Sequence, residues 1–272
     1  MRKTKFLASI VVSVFLVSAC LDVDMKIKVK PDGSGTIEEQ VLLSNDVVDM
    51  LSSFGEVDSE GNKETFEIYN EEELRSKAIE IGEGAKFIGG EKISADGKQG
   101  YRAVYEFPDI TKIRVNQSPD SKLPEGTVDD GESDENGEFI TFNFSKGNPA
   151  ILKINLPGME EPEAKGGDEE QIESDSLNSG GMEEMFIEMM KDFRMNMEVE
   201  IEGDIVETNA AFRDGSKITL LLMDFKKLFE MPEKLKEFKK LKPNSYKEAE
   251  KFFHDIPGFK IELKETVNVK LK

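Results

Sequence analysis

The feature that most restricts the fold is a two-residue alternation of apolar and polar side chains, repeated along much of the chain. Val23, Met25, Ile27 and Val29 alternate with Asp24, Lys26 and Lys28. A strand turns successive side chains to opposite faces, so this period describes a strand with one dry and one wet face. Pro31-Asp32-Gly33-Ser34-Gly35 then supplies turn residues, and Ile37 to Leu43 resumes as a second strand. The pattern recurs for Phe87–Ile93 and Tyr101–Phe107 around Ala95-Asp96-Gly97. It recurs again for Ile140–Phe144 and Ala150–Leu156 around Gly147-Asn148. A fourth hairpin is expected from Ile205–Phe212 and Lys217–Met223, around Asp214-Gly215-Ser216. Phe259, Ile261, Leu263, Val267, Val269 and Leu271 also alternate, interrupted at Glu265, and predict one long terminal strand.

Other segments follow the helical period. Asn45–Phe54 predicts a short helix. Asn70 can cap a second, with Glu71, Glu72 and Glu73 in the first turn where the dipole favours acids. Leu74, Ala78 and Ile81 form its apolar stripe, and Gly82 and Gly84 end it. Met182, Met185, Phe186, Met189, Met190 and Phe193 come at helical spacing, before Met195, Met197, Val199 and Ile201 switch to strand spacing. Leu228, Met231, Leu235, Phe238 and Leu241 predict an amphipathic helical region broken near Pro232. A last helix is expected to start at Asn244 and Ser245, where Ser245 and Glu248 match a capping box.

Residues 116–138 and 158–181 each hold eight acids and one lysine, with few apolar side chains. Such segments cannot bury enough to offset their ordering, so both are expected as exposed flexible loops. Taken together, the pattern predicts an α+β fold. Its sheet is mainly antiparallel and built from hairpins, with four or five packed helices and two acidic flexible loops. Residues 20–157 form an N-terminal α+β region, 158–181 a linker or insertion, and 182–272 a C-terminal α+β region sharing the first region's sheet.

The extreme N-terminus is of another kind. Arg2, Lys3 and Lys5 precede an uncharged run from Phe6 to Ala19, as in a secretory signal. The run is shorter than the roughly 20 residues a helix needs to cross a bilayer. It ends Leu16-Val17-Ser18-Ala19-Cys20, which resembles a lipobox, with Val17 in place of the commoner leucine. That resemblance implies a signal peptide of residues 1–19, cleavage before Cys20, and a diacylglycerol on its thiol. Several acyl chains together hold a protein at a membrane where one does not. Ordinary cleavage after Ala19, or a core role for Cys20, are the alternatives. Cys20 is the only cysteine, so it has no intrachain disulfide partner.

Two further stretches resemble LppM-type domains of bacterial envelope lipoproteins. One runs from Cys20-Leu21-Asp22-Val23-Asp24 through Lys28-Val29-Lys30-Pro31-Asp32-Gly33-Ser34-Gly35-Thr36. The other comprises Ile205-Val206-Glu207-Thr208-Asn209-Ala210, Asp214-Gly215 and Ile218-Thr219-Leu220. The resemblance covers the two ends of the chain beyond the signal and not its middle. It implies a β-rich, helix-containing domain able to bind lipid, and carries no catalytic residues across. Gly203 to Ala210 also resembles a stretch of uncharacterised bacterial lipoproteins.

Composition narrows the chemistry. A net charge of −20, made more negative by loss of residues 1–19, disfavours nucleic acid. Residues 225–272 run the other way, with thirteen lysines against eight acids. His254 is the single histidine, so a Ser-His-Asp triad would have to use it. Its place beside Phe252, Phe253 and Asp255 suits a helix end better. Glu132, Asp134, Asn136 and Gly137 approach a calcium loop, but position one is Glu and position twelve is Asn143. The thioethers of the methionine stripe could take Cu(I), although interleaved phenylalanines fit core packing or an adaptable apolar groove better.

These residues lead to the expectation of a non-enzymatic, lipid-anchored lipoprotein of the cell envelope, without cofactor or metal. It is exported from the cytoplasm and sits at the outer membrane where the cell has one. Lipidation falls on Cys20. A lipid or other hydrophobic ligand is expected at Met182, Met185, Phe186, Met189, Met190 and Phe193. An envelope protein partner, with a structural or assembly role, is the alternative function, and a hydrolase is a third.

Overall fold

The computed structural model describes residues 21–54, 67–122, 139–157, 190–238 and 251–272. The first expected strand is β1, Leu21–Val29, and the second is β2, Gly35–Ser44. On each, alternate side chains are buried and half-buried, as the sequence period requires. Gly33 makes their turn with φ at 89°, a region that glycine enters without a Cβ penalty.

Helix α1, Asn45–Phe54, and helix α2, Glu71–Ile81, come next. Asn70 caps α2, its side chain accepting the N–H groups of Glu72 and Glu73. Strands β3, Lys86–Ala95, and β4, Lys98–Phe107, form the hairpin expected around Asp96-Gly97. Short strand β5, Arg114–Asn116, then leads to β6, Phe139–Ser145, and β7, Ala150–Asn155. Beyond residue 190 come β8, Arg194–Ile201; β9, Ile205–Thr208; β10, Arg213–Asp214; and β11, Lys217–Asp224. Two short helices follow, α3, Phe225–Phe229, and α4, Pro232–Phe238. Strands β12, Phe259–Ile261, and β13, Thr266–Leu271, close the chain.

The strands make two sheets. The larger has eight, in the order β10-β11-β8-β1-β2-β4-β3, with β12 beside β11; the smaller has five, β5-β6-β7-β13-β9. Strand β1 pairs antiparallel with β2 and parallel with β8, from Asp22↔Arg194 to Val29↔Ile201. The inner faces of both sheets feed one continuous core. It contains Leu21, Val23 and Ile27 of β1, Met195 and Met197 of β8, Leu152 and Ile154 of β7, and Val267 and Val269 of β13. Interdigitating inner faces are how two sheets bury apolar area without helices.

This corrects the α+β expectation. The described residues are 50% strand and 22% helical, and few helices pack. Helix α2 buries only Leu74 and Ala78, and α4 buries none of its residues. The helical period is present there, but the sheets already bury each other's apolar faces. The last helix, with Ser245 and Glu248, begins outside the described residues. So do the acidic segment 158–181 and most of 116–138.

Two pairings also differ from the sequence reading. The hairpin expected after Gly203 splits: β10 pairs with β11, while β9 crosses to β13 in the smaller sheet. The single long terminal strand also splits, with β12 in the larger sheet and β13 in the smaller. At that crossover the Glu262 side chain is buried. Its carboxylate accepts the Ala211 N–H at 2.6 Å and bonds from the Lys264 N–H and Nζ at 3.3 and 3.1 Å. A strand that changes sheets leaves backbone donors unpaired, and Glu262 takes two of them.

Candidate functional site

The least expected chemistry lies on the dry face of β2. Inward positions of this strand hold Ile37, Val41 and Leu43, and between them Glu39, which is 2% exposed. In register, Glu39 faces Met25 of β1 on one side and Ala103 of β4 on the other. A carboxylate buried among such neighbours costs several kcal/mol unless it is paired and hydrogen-bonded. Three groups supply that. Lys77 Nζ of α2 lies 2.6 Å from Oε1, Tyr101 of β4 donates its hydroxyl at 2.9 Å, and Lys122 Nζ lies 3.4 Å from Oε2.

Burial alone pushes the Glu39 carboxyl up. The charges of Lys77 and Lys122, with the bonds from Lys77 and Tyr101, outweigh it and lower the pKa to about 2. Glu39 is therefore an ionised acceptor with its donors already in place. Burial, then the charge of Glu39, raises the Tyr101 hydroxyl well above the ordinary tyrosine value, and Tyr105 shifts the same way for the same reasons. The Tyr105 hydroxyl is buried without a hydrogen-bond partner among the described residues, its ring set edge-on to Phe87 at 5.7 Å. The cluster ties α2 and the 3-10 turn Asp120–Lys122 to the sheet.

A second charged cluster sits on the wet face at the start of β1. Arg194 of β8 donates to Asp22 at 3.1 Å and to Asp24 at 3.2 Å. Lys98 donates to Asp22 at 3.1 Å, and Asn196 to Asp24 at 3.2 Å. Partial burial opposes the Arg194 charge, but the two aspartates outweigh it and raise its pKa.

Of the residues singled out in the sequence, Cys20, Met182, Met185, Phe186 and Met189 lie outside the described residues. Met190 is half-buried and packed against the core, and Phe193 is buried. Phe193 meets Phe225 edge-on at 5.8 Å, in a cluster that continues through Phe238, Phe252, Phe253 and Phe259. There Phe253 and Phe259 stack at 4.6 Å. His254 is exposed at the rim of this cluster. It lines a hollow of about 20 Å³ with Phe212, Phe253, Phe259 and Ile261. A cavity of about 40 Å³ lies by Glu262 and Lys264. These volumes suit single waters or small groups of them. Among the described residues, no group of three or more potential metal-ligating side chains comes together.

Glu39 leaves a signal in the sequence. A glutamate in phase with Ile37, Val41 and Leu43 breaks the alternation at a core position. Nothing in the pattern pointed to Lys77 or Lys122 as its partners.

Comparison with known proteins adds little. No protein-family profile and no curated protein matches the sequence. Among solved structures, the NMR structure of the folded domain of Mycobacterium tuberculosis LppM is similar at a TM-score of 0.30 and 12% identity. The similarity covers 74% of this chain and 80% of that one.

Proposed function

We propose that the chain is an exported lipoprotein of the cell envelope, acylated on Cys20, whose domain acts by binding rather than by catalysis. The observation that carries this reading is the junction between leader and fold. The lipobox-like Leu16–Cys20 abuts Leu21, which is fully buried and opens β1 in the middle of the larger sheet. Cleavage before Cys20 therefore removes the leader and leaves the domain's first strand whole, one residue from the lipid. The Glu39 carboxylate, held ionised by two lysines and a tyrosine, supports a structural rather than a catalytic use of the most buried acid.

The test is metabolic labelling with an alkyne fatty acid. Wild type incorporates label, and Cys20→Ala loses both label and processing. Unchanged labelling of Cys20→Ala would overturn the anchor.

A hydrophobic ligand is the second reading. It is favoured by the phenylalanine cluster, in which Phe238, Phe252 and Phe253 are only half-buried. Native mass spectrometry of a soluble form lacking residues 1–20 tests it. A co-purifying lipid that is lost in Phe252→Ser supports the ligand, and a bare protein mass sinks it.

A further inference from the structure

We infer that the end of the larger sheet carrying Leu21 is the surface that faces the phospholipid bilayer, with β1 standing on end above it. This rests on the acylation of Cys20 proposed above and adds to it an orientation and a set of contact residues.

Reach sets the geometry. Consecutive Cα atoms are about 3.8 Å apart, so an acylated Cys20 holds Leu21 at the headgroup layer with no spacer to let the domain roll. Leu21 pairs with Leu43 on one side, and the next residue, Asp22, with Arg194 on the other. The register then carries the same level to Asp224, paired with Arg194 in β11, and so to α3. Neighbouring strands lie about 4.8 Å apart, which puts the start of α3 about 10 Å sideways from β1. The end of β2 and the start of α1 share this level, since the Asn45 N–H donates to Gly97 in the β3–β4 turn.

Part of the negative charge at this end is neutralised. The chain is strongly acidic, and an anionic surface repels free carboxylates. At this end the two acids of β1, Asp22 and Asp24, are held by Arg194, Lys98 and Asn196. Asp46, Asp96 and Asp192 remain exposed, and Lys226 and Lys227 of α3 are exposed with them. Lys227 is bonded to Glu230, whereas Lys226 forms no ion pair among the described residues. The opposite end, about 30 Å away along β1, presents Glu202 and Asp204 beside Lys30 and Lys272.

The experiment uses the full acylated chain in phosphatidylcholine–phosphatidylglycerol vesicles containing a lipid with a spin-labelled headgroup. Acylation consumes the only native thiol, so a single introduced cysteine takes the fluorophore. Asp46→Cys and Lys226→Cys label the near end; Lys30→Cys and Glu202→Cys label the far end. The expected result is quenching several-fold stronger at 46 and 226 than at 30 and 202. Uniform quenching, or stronger quenching at 30 and 202, with Cys20 acylated by mass spectrometry, overturns this surface alone. Unmodified Cys20 in the same preparation overturns the anchor, and the surface with it.

Discussion

Arg194 and Asp22 stand 172 residues apart in the chain and 3.1 Å apart in the fold. The contact joins β1 to β8 in their parallel register, and the same guanidinium reaches Asp24. Both partners keep some solvent contact, so the pair is not worth a buried ion pair's full Coulomb energy.

Arg194→Ala is therefore expected to lower stability by about 1–3 kcal/mol, through lost charge-assisted bonds and two carboxylates left facing each other. In a double-mutant cycle with Asp22→Asn, urea titration should give a coupling of about 1 kcal/mol. Strict additivity would show the contact to be incidental.

Removing Glu39 is expected to be far more damaging than its single carboxylate suggests. Glu39→Ala removes the carboxylate that lies 2.6 Å from Lys77 and 3.4 Å from the buried Lys122, and takes the acceptor from the buried Tyr101 hydroxyl, at a cost of about 3 kcal/mol. Replacing the closest set together, as Glu39→Leu with Lys77→Met and Tyr101→Phe, should recover part of that loss. Thermal melts of the single and triple variants measure the difference, and a triple variant no better than the single one contradicts the account.

The same carboxylate fixes an acid limit. Its folded pKa is about 2, below the ordinary 4.5, so its contribution is present above pH 4.5 and lost as the pH falls towards 2. By linkage the loss is on the order of 3 kcal/mol. Denaturant unfolding between pH 5 and 2 should show this slope in wild type and a shallower one in Glu39→Gln.

Two glycines should differ in their tolerance of alanine. Gly82 closes α2 at a φ of 144°, and a Cβ there would lie 2.1 Å from the Lys112 carbonyl oxygen. Gly82→Ala should lose about 2 kcal/mol or more, since the backbone of the 110–113 turn must move. Gly89, in β3, has nothing within 4 Å of its Cβ position, and Gly89→Ala should stay within about 1 kcal/mol of wild type. Chemical denaturation of both variants decides it.

The strands could be read because their pattern is local. Each of β1, β2, β4 and β7 has its own alternation, and the Asp96-Gly97 turn sits between its two strands with both φ values positive. Partnership across the chain could not be read in this way. Nothing near Ile205 indicates that β9 pairs with Val269 of β13 rather than joining a hairpin with β11. The terminal alternation is real on both sides of Glu262, yet the two halves enter different sheets. The expectation of packed helices fails for a related reason. A stripe such as Leu235 and Phe238 of α4, neither of them fully buried, shows that a helix can form, not that the core still needs it. At Glu39 the anomaly was visible, but its meaning depended on a helix and a turn arriving from 38 and 83 residues away.

The central place of β1 has a mechanical consequence. A strand at a sheet edge peels away one hydrogen bond at a time, whereas β1 is paired along its length with β2 on one side and β8 on the other. Tension applied at Leu21 along the strand runs perpendicular to those bonds, so both ladders must slip together rather than unzip. A domain built this way can be dragged by its first residue without shedding its first strand.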